Sequence, residues 1–227
     1  MIDLTKTAPG LVSLAKTAAV SLQKHGLADQ RAAVYLVLDH SGSMAPYYRD
    51  GAVQRLAEQT LALSANLDDD GSVPLIYFGS QVDQPEDVRL DSYTGVIDRT
   101  HVHVAWGSTN YAAAIQYAVE EHLSSGATDP GLVIFQTDGE PDSRDAAEAA
   151  LRWASHSPLF FAFVGFGHNI RFLRGLDDLP GRKVDNASFF HARKPRAVSD
   201  ADLYDGITAQ YGQWLTDARA ADVIRTR

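Results

Sequence analysis

The chain has 227 residues, 45% hydrophobic and 22% charged, with a formal net charge of -9 and no cysteine. That length supports one self-sufficient core, so a single unit over 1–227 is expected, with 1–29 as a helical extension packed on it. The charge argues against nucleic acid, whose binders need a basic face; the missing thiols exclude disulfides and suit the cytoplasm; and no run approaches the ~20 apolar residues of a membrane span, so neither membrane insertion nor a leader peptide is expected.

Leu11, Leu14, Ala15, Ala18 and Leu22 recur at helical spacing and predict a helix laid against a sheet face. Residues 34–38 form an apolar run of buried-strand length. A loop over 39–50 comes next, then a helix whose inward stripe is Val53, Leu56, Ala57, Thr60 and Leu67. Asp68, Asp69 and Asp70 end that helix against its macrodipole and read as a solvated turn. A second strand covers 73–78, and a short edge strand near 88–90 is followed by a short helix. Ala112, Ile115, Val119 and Leu123 mark another helix, with Gly126 just past its end. Strands at 132–136, 159–164 and 188–191 alternate with helices over 143–155, opened by Ser143, and 170–176. Leu203, Ile207, Tyr211 and Leu215 predict one terminal helix. Strands alternating with helices imply a parallel sheet covered on both faces.

Asp39-His40-Ser41-Gly42-Ser43 stands at the carboxyl end of the first strand. One carboxylate and two hydroxyls are the oxygen chemistry of a hard divalent cation such as Mg²⁺. Alternate residues of an extended segment point the same way, so the three converge if the loop curls around an ion, while His40 turns away. The bland alternative is a strand-to-helix turn in which Asp and Ser cap the next helix. Two further segments bear on that choice: Gly107-Ser108-Thr109-Asn110, ahead of an amphipathic stretch, and Thr137-Asp138-Gly139-Glu140, after a second apolar run. In this order they resemble the metal-ion-dependent adhesion site of von Willebrand factor A (vWA) domains, with Asp39, Ser41, Ser43, Thr109 and Asp138 in its five positions. The likeness covers about residues 30–215. More specifically, the chain is similar to the bacterial tellurium-resistance (TerF-like) branch. That likeness rests on Val12-Ser13-Leu14, Val20-Ser21-Leu22-Gln23-Lys24, Tyr35 to Asp39 running into Ser41-Gly42-Ser43-Met44, and Asp202-Leu203-Tyr204-Asp205 with Tyr211 and Trp214.

The resemblance implies a Rossmann-like α/β fold: a central, mostly parallel six-stranded sheet of order 3-2-1-4-5-6, strand 3 an antiparallel edge, with helices on both faces. The strands ending at Asp39 and Asp138 are then neighbours at the switch point, where open sheets bind ligands. It also implies a site for Mg²⁺, with Mn²⁺ or Ca²⁺ as alternatives, and a partner protein that offers an Asp or Glu carboxylate. Direct and water-mediated ligands would exchange on binding. Other tellurium-resistance proteins are candidate partners, and a tellurite-resistance or stress-response assembly is the implied setting. Two carboxylates about 5 Å apart repel by roughly 3 kcal/mol at an effective dielectric of ~20. A cation removes that repulsion, and hydroxyl donors leave it able to accept an outside acid.

Two other functions compete. A Mg²⁺-dependent phosphoesterase of the haloacid-dehalogenase type needs an acid where this chain has Ser41, and no G-x-S-x-G elbow supplies a nucleophile. No enzyme is therefore expected. A purely structural subunit would use the ion only to stiffen its loops. His101 and His103 lack further zinc ligands at a usual spacing, and Gly165-Phe166-Gly167 lacks a third glycine at Ile170. Trp106, Tyr47 and Tyr48 flank the loops as core residues or as rim contacts for a partner, and Glu140 reads as a helix-start acid. Arg171, Arg174, Arg182, Lys183, Arg193, Lys194 and Arg196 interleave with Asp177, Asp178 and Asp185 and read as solvated surface.

Overall fold

The computed structural model of the chain describes residues 3–84, 86–168 and 170–224. Its strands are β1 (Ala33–Asp39), β2 (Ser72–Val73), β3 (Leu75–Phe78), β4 (Val82–Asp83), β5 (Val88–Arg89), β6 (Gly131–Thr137), β7 (Leu159–Phe166) and β8 (Ala187–Ala192). The helices are α1 (Leu4–Thr7), α2 (Val12–Lys24), α3 (Ala45–Arg49), α4 (Ala52–Leu67) and α5 (Val96–Thr100), then α6 (Tyr111–Ser124), α7 (Arg144–Ala154), α8 (Arg171–Asp177), α9 (Asp200–Thr208) and α10 (Tyr211–Ala220).

Six strands form the main sheet, in the order β4-β3-β1-β6-β7-β8, while β2 and β5 pair separately. Counted along its own strands, the sheet reads 3-2-1-4-5-6. β3, β1, β6, β7 and β8 are parallel, and β4 closes the edge antiparallel. Every residue of β6 and β7 is buried, as strands covered on both faces require. Alternation divides the side chains between two cores. Leu36, Leu38, Ile134 and Phe160 face α4, α9 and α10 through Leu61, Ile207 and Trp214. Val37, Phe78, Phe135 and Phe163 face α6, α7 and α8 through Ile115, Leu151 and Leu173.

The edge strand departs from the expected position. It lies at Val82–Asp83, and the expected segment near 88–90 instead pairs Val88 with Val73 and Arg89 with Ser72, outside the main sheet. Pro74 breaks the expected strand over 73–78 into β2 and β3, because proline cannot donate to a ladder. The chain then turns back at once: Gly79 N–H donates to the Gln81 carbonyl at 2.8 Å, and Val82 comes opposite Phe78. The segment 39–50 also holds more structure than a loop, with a 3₁₀ turn at Gly42–Met44 and then α3, which has Pro46 in its first turn where the missing N–H costs nothing.

The expected terminal helix is two helices. Leu203, Ile207, Tyr211 and Leu215 are all buried, but α9 ends at Thr208, whose hydroxyl donates to the Tyr204 carbonyl at 2.7 Å. Such back-bonding bends helices. The predicted N-terminal stripe holds, with Leu11, Ala15, Ala18 and Leu22 buried and Leu14 partly so. From α2, Ser21 Oγ donates to Asp205 Oδ1 at 2.7 Å on α9. On α4, Asn66 Nδ2 donates to the Ala15 carbonyl at 3.1 Å. The acids after α4 are offset by Arg31, 2.8 Å from Asp69 and 3.8 Å from Asp68.

Candidate metal centre

Because β1 and β6 run parallel with Leu38 opposite Gln136, their carboxyl ends deliver Asp39 and Asp138 to neighbouring turns. Asp39 is fully buried. Its Oδ1 accepts the Ser41 backbone N–H at 2.7 Å, its Oδ2 accepts the Thr137 hydroxyl at 2.6 Å, and its own carbonyl accepts the Tyr48 hydroxyl at 2.9 Å. The 3₁₀ turn then brings the serines together, Ser41 Oγ lying 3.2 Å from Ser43 Oγ. Ser43 Oγ donates to Asp138 Oδ1 at 2.7 Å. Hydrogen bonds thus join four of the five expected donors, and curling of the turn, rather than extended alternation, brings Ser43 into reach.

Thr109 sits differently. Its hydroxyl donates to the Glu140 carbonyl at 2.8 Å, and its N–H to Asp142 Oδ1 at 3.0 Å. Asp142 also accepts the Ser108 hydroxyl at 2.6 Å and donates its own N–H to the Thr109 carbonyl at 3.0 Å. The threonine is therefore bound to the loop after β6. The same segment still borders the serine turn, because Gly107 bridges Ser41 in parallel register and its N–H donates to the His40 carbonyl at 3.1 Å. A Cβ at Gly107 would lie 2.4 Å from Ser80 N, so only glycine allows this approach.

Burial dominates the electrostatics. It pushes the Asp39 carboxyl up to about 6, against the lowering bonds from Thr137 and Ser41. Asp138 is raised for the same reason, with Ser43 opposing. Ionising Asp39 in the folded chain therefore costs about 3 kcal/mol more than in the unfolded one. Two oxygen-rich turns facing one another, with carboxylates held by neutral donors, have the donor chemistry of a hard divalent cation. Among the described residues no group of three or more His, Cys, Asp or Glu side chains is placed to hold a metal. A cation here would depend on the hydroxyls for most of its protein donors. A cavity of about 810 Å³ lined by Arg31, His122, Pro130 and Pro158 lies at the amino ends of the strands, remote from these turns.

His40 points away from Asp39, as alternation requires. Its ring stacks on Trp106 at 3.8 Å and 12°, meets Tyr48 and Tyr77 edge-on, and has Nδ1 3.3 Å from the Ala105 carbonyl. Burial holds its pKa below the usual value. His101 joins this aromatic group rather than a zinc set. Tyr48 is buried, Tyr47 is half-buried against Phe166, and Trp106 stays 47% exposed. Glu140 pairs with Arg144 at 3.1 Å and accepts the Phe172 N–H at 3.4 Å, so it caps the start of α8 rather than α7. From the basic group, Arg182 is largely buried against Asp185 at 2.7 Å. Sequence reasoning missed Asp142, Thr137 as a bond to Asp39, and the Tyr48 hydroxyl. Only the position of Thr137 beside Asp138 signalled any of them.

Residues 31–224 match the family described as vWA-TerF-like, the vWA domain found at the TerF C terminus. The chain belongs to that family. It is also similar to the protein YcbR of Bacillus subtilis (strain 168), 29% identical over 217 residues that cover 92% of this chain and 88% of YcbR. Among solved structures, a von Willebrand factor type A protein from Catenulispora acidiphila shares 18% identity at a TM-score of 0.56, covering 80% of this chain, which spans only 42% of that one. The manganese-loaded TRAP protein of Plasmodium vivax shares 21% identity at a TM-score of 0.56, over 78% of this chain and 74% of TRAP. At such identities these structures speak for the fold alone. Members of the vWA family are typically metal-dependent protein-interaction modules rather than enzymes. Among the described residues no helix is long and apolar enough to cross a membrane.

Proposed function

We propose that the chain, acting as one unit with its N-terminal helix, binds a divalent cation through Asp39, Ser41, Ser43, Asp138 and Thr109 and uses it to engage an Asp or Glu carboxylate of a partner protein. Mg²⁺ is the cation the small oxygen donors favour, with Mn²⁺ or Ca²⁺ as alternatives. The bonded series from Asp39 through the two serines to Asp138 carries this reading, since it gathers two carboxylates and two hydroxyls at the sheet's switch point. When bound, the cation supplies positive charge that relieves both carboxylates and can accept an outside oxygen. For Thr109 to join, its hydroxyl must leave the Glu140 carbonyl.

The TerF-like membership supports a role in a bacterial tellurite-resistance or stress-response assembly, without catalysis, and we propose a cytoplasmic setting for it. A phosphoesterase lacks support at Ser41, whose hydroxyl faces Ser43 where that chemistry needs an acid. Calorimetry with Mg²⁺ on the wild type and on Asp138→Ala tests the site: binding by the wild type, with loss in the variant, is expected. Equal affinity in both overturns it.

A further inference from the structure

Resting on the cation reading above, we infer that Asp142 is a positioning residue for that site: its carboxylate holds the Thr109 backbone in place and takes the Thr109 hydroxyl proton when that hydroxyl leaves the Glu140 carbonyl. Three turns meet at the site, and each pair of them is joined. Gly107 bridges Ser41 and donates to the His40 carbonyl, which ties the turn before α6 to the turn after β1. Ser43 Oγ donates to Asp138 Oδ1 at 2.7 Å, which ties the turn after β1 to the turn after β6. Asp142 closes the ring.

The closing bonds run both ways. Thr109 N–H donates to Asp142 Oδ1 at 3.0 Å and Asp142 N–H to the Thr109 carbonyl at 3.0 Å, while Ser108 Oγ donates to Asp142 Oδ2 at 2.6 Å. The acid has little freedom to drift, because buried Pro141 precedes it with a fixed backbone angle and Ser143, the N-cap of α7, follows it. Ser108 occupies Oδ2, so Oδ1 is the oxygen turned to Thr109. The Thr109 hydroxyl thereby lies between two acceptors, 2.8 Å from the Glu140 carbonyl and 3.4 Å from Asp142 Oδ1.

A hydroxyl carries one proton and two lone pairs. When Thr109 gives a lone pair to a cation, its proton becomes more acidic and still needs an acceptor. A carboxylate then outcompetes a carbonyl, because charge-assisted hydrogen bonds are about twice as strong as neutral ones. The shift required is small: from 3.4 Å to the roughly 2.6 Å usual for a hydroxyl on a carboxylate. The backbone stays where it is, since the same Oδ1 already accepts the Thr109 N–H.

Mg²⁺ calorimetry on Asp142→Asn and Asp142→Ala, each with Thr109 intact and combined with Thr109→Val, tests this. Both replacements remove the same charge, but Asn keeps an oxygen acceptor of the same reach. With Thr109 intact, Asp142→Asn should bind Mg²⁺ several-fold more tightly than Asp142→Ala; combined with Thr109→Val, the two should bind alike. In chelator, amide hydrogen exchange at Thr109 should be about tenfold faster in Asp142→Ala than in Asp142→Asn or the wild type. The start of α6 stays on the end of β6 in all of them, because the Tyr111 hydroxyl donates to the Gly139 carbonyl. Equal affinities of the Asn and Ala variants with Thr109 intact overturn the inference, since Asp142 is then only a charge, and leave the cation site standing. An Asn advantage that survives Thr109→Val overturns it too, as does Thr109 exchange that Asp142→Ala leaves unchanged. A wild type that takes up no Mg²⁺ overturns the cation reading and the inference with it.

Discussion

The turn after β1 and the turn before α6 border the same space but are held in opposite ways. The first is closed on itself and on Asp138: Ser41 N–H reaches Asp39, and Ser43 reaches across to the end of β6. The second is bound outward, Thr109 and Ser108 being engaged by Glu140 and Asp142. Asp39 and Asp138 carry the charge, so the first turn with the end of β6 should set whether a cation binds. Thr109 brings only a neutral hydroxyl that already has an acceptor, so the second turn should tune binding by less.

Replacement of Asp39 gives the sharpest break in that contrast. Asp39→Asn should lower Mg²⁺ affinity by more than about a hundredfold, the scale set by losing one of two carboxylate–cation attractions even at an effective dielectric of ~20. The same variant should be more heat-stable in chelator at pH 7. A carboxyl whose folded pKa is raised to about 6 adds stability below its unfolded pKa and forfeits it as pH rises through about 6, and Asn never ionises. A melting temperature below that of the wild type at pH 7 would contradict the burial argument.

Gly107→Ala comes next. Its Cβ would meet backbone at Ser80, a clash with no flexible end to yield, so a loss of about 2 to 3 kcal/mol in urea unfolding is expected, together with weakened Mg²⁺ binding. Unchanged stability would show that the segment can lift off the serine turn. Thr109→Val should have a milder effect, a few-fold loss of Mg²⁺ affinity in calorimetry. A loss as large as that of Asp39→Asn would mean that the two turns contribute equally.

The smallest effect belongs to the far end of the sheet. His122 is buried with Nδ1 2.9 Å from the Tyr35 hydroxyl, and burial lowers its pKa below 6.5. The unfolded chain therefore takes up this proton first, and the stability it contributes above pH 6.5 is lost as pH falls through the folded value. Urea midpoints between pH 7.5 and 5.5 should fall less in His122→Gln than in the wild type, and equal slopes would remove His122 from the acid response.

Much of this architecture was legible in the sequence. Apolar runs at the positions of β1, β6 and β7 and the stripes in α2 and α4 reported burial directly, because periodicity records which face meets the core; the stripe expected in α6 held only at Ile115 and Val119, since Ala112 is half-buried, Leu123 is exposed, and the face that meets the core runs instead through Tyr111, Ala114, Ala118 and His122. The segment 72–90 was not legible: Val88 and Val73 have strand character, but which strand each pairs with depends on where Pro74 and the Gly79 turn send the chain. The break after Thr208 was hidden for a related reason, since a buried stripe continues through both helices.

For the candidate site, the sequence by itself determined the kind of chemistry. Asp39, Ser41, Ser43, Thr109 and Asp138 are oxygen donors wherever the chain places them, and their order pointed to the family. Only the tertiary structure decided their relations: that Thr137 rather than a cation side chain steadies Asp39, that Asp142 holds the Thr109 segment, and that His40 supports an exposed Trp106. Each of these joins residues far apart in the chain, and a pairing of that kind is set by sheet register and loop packing, which no local pattern encodes.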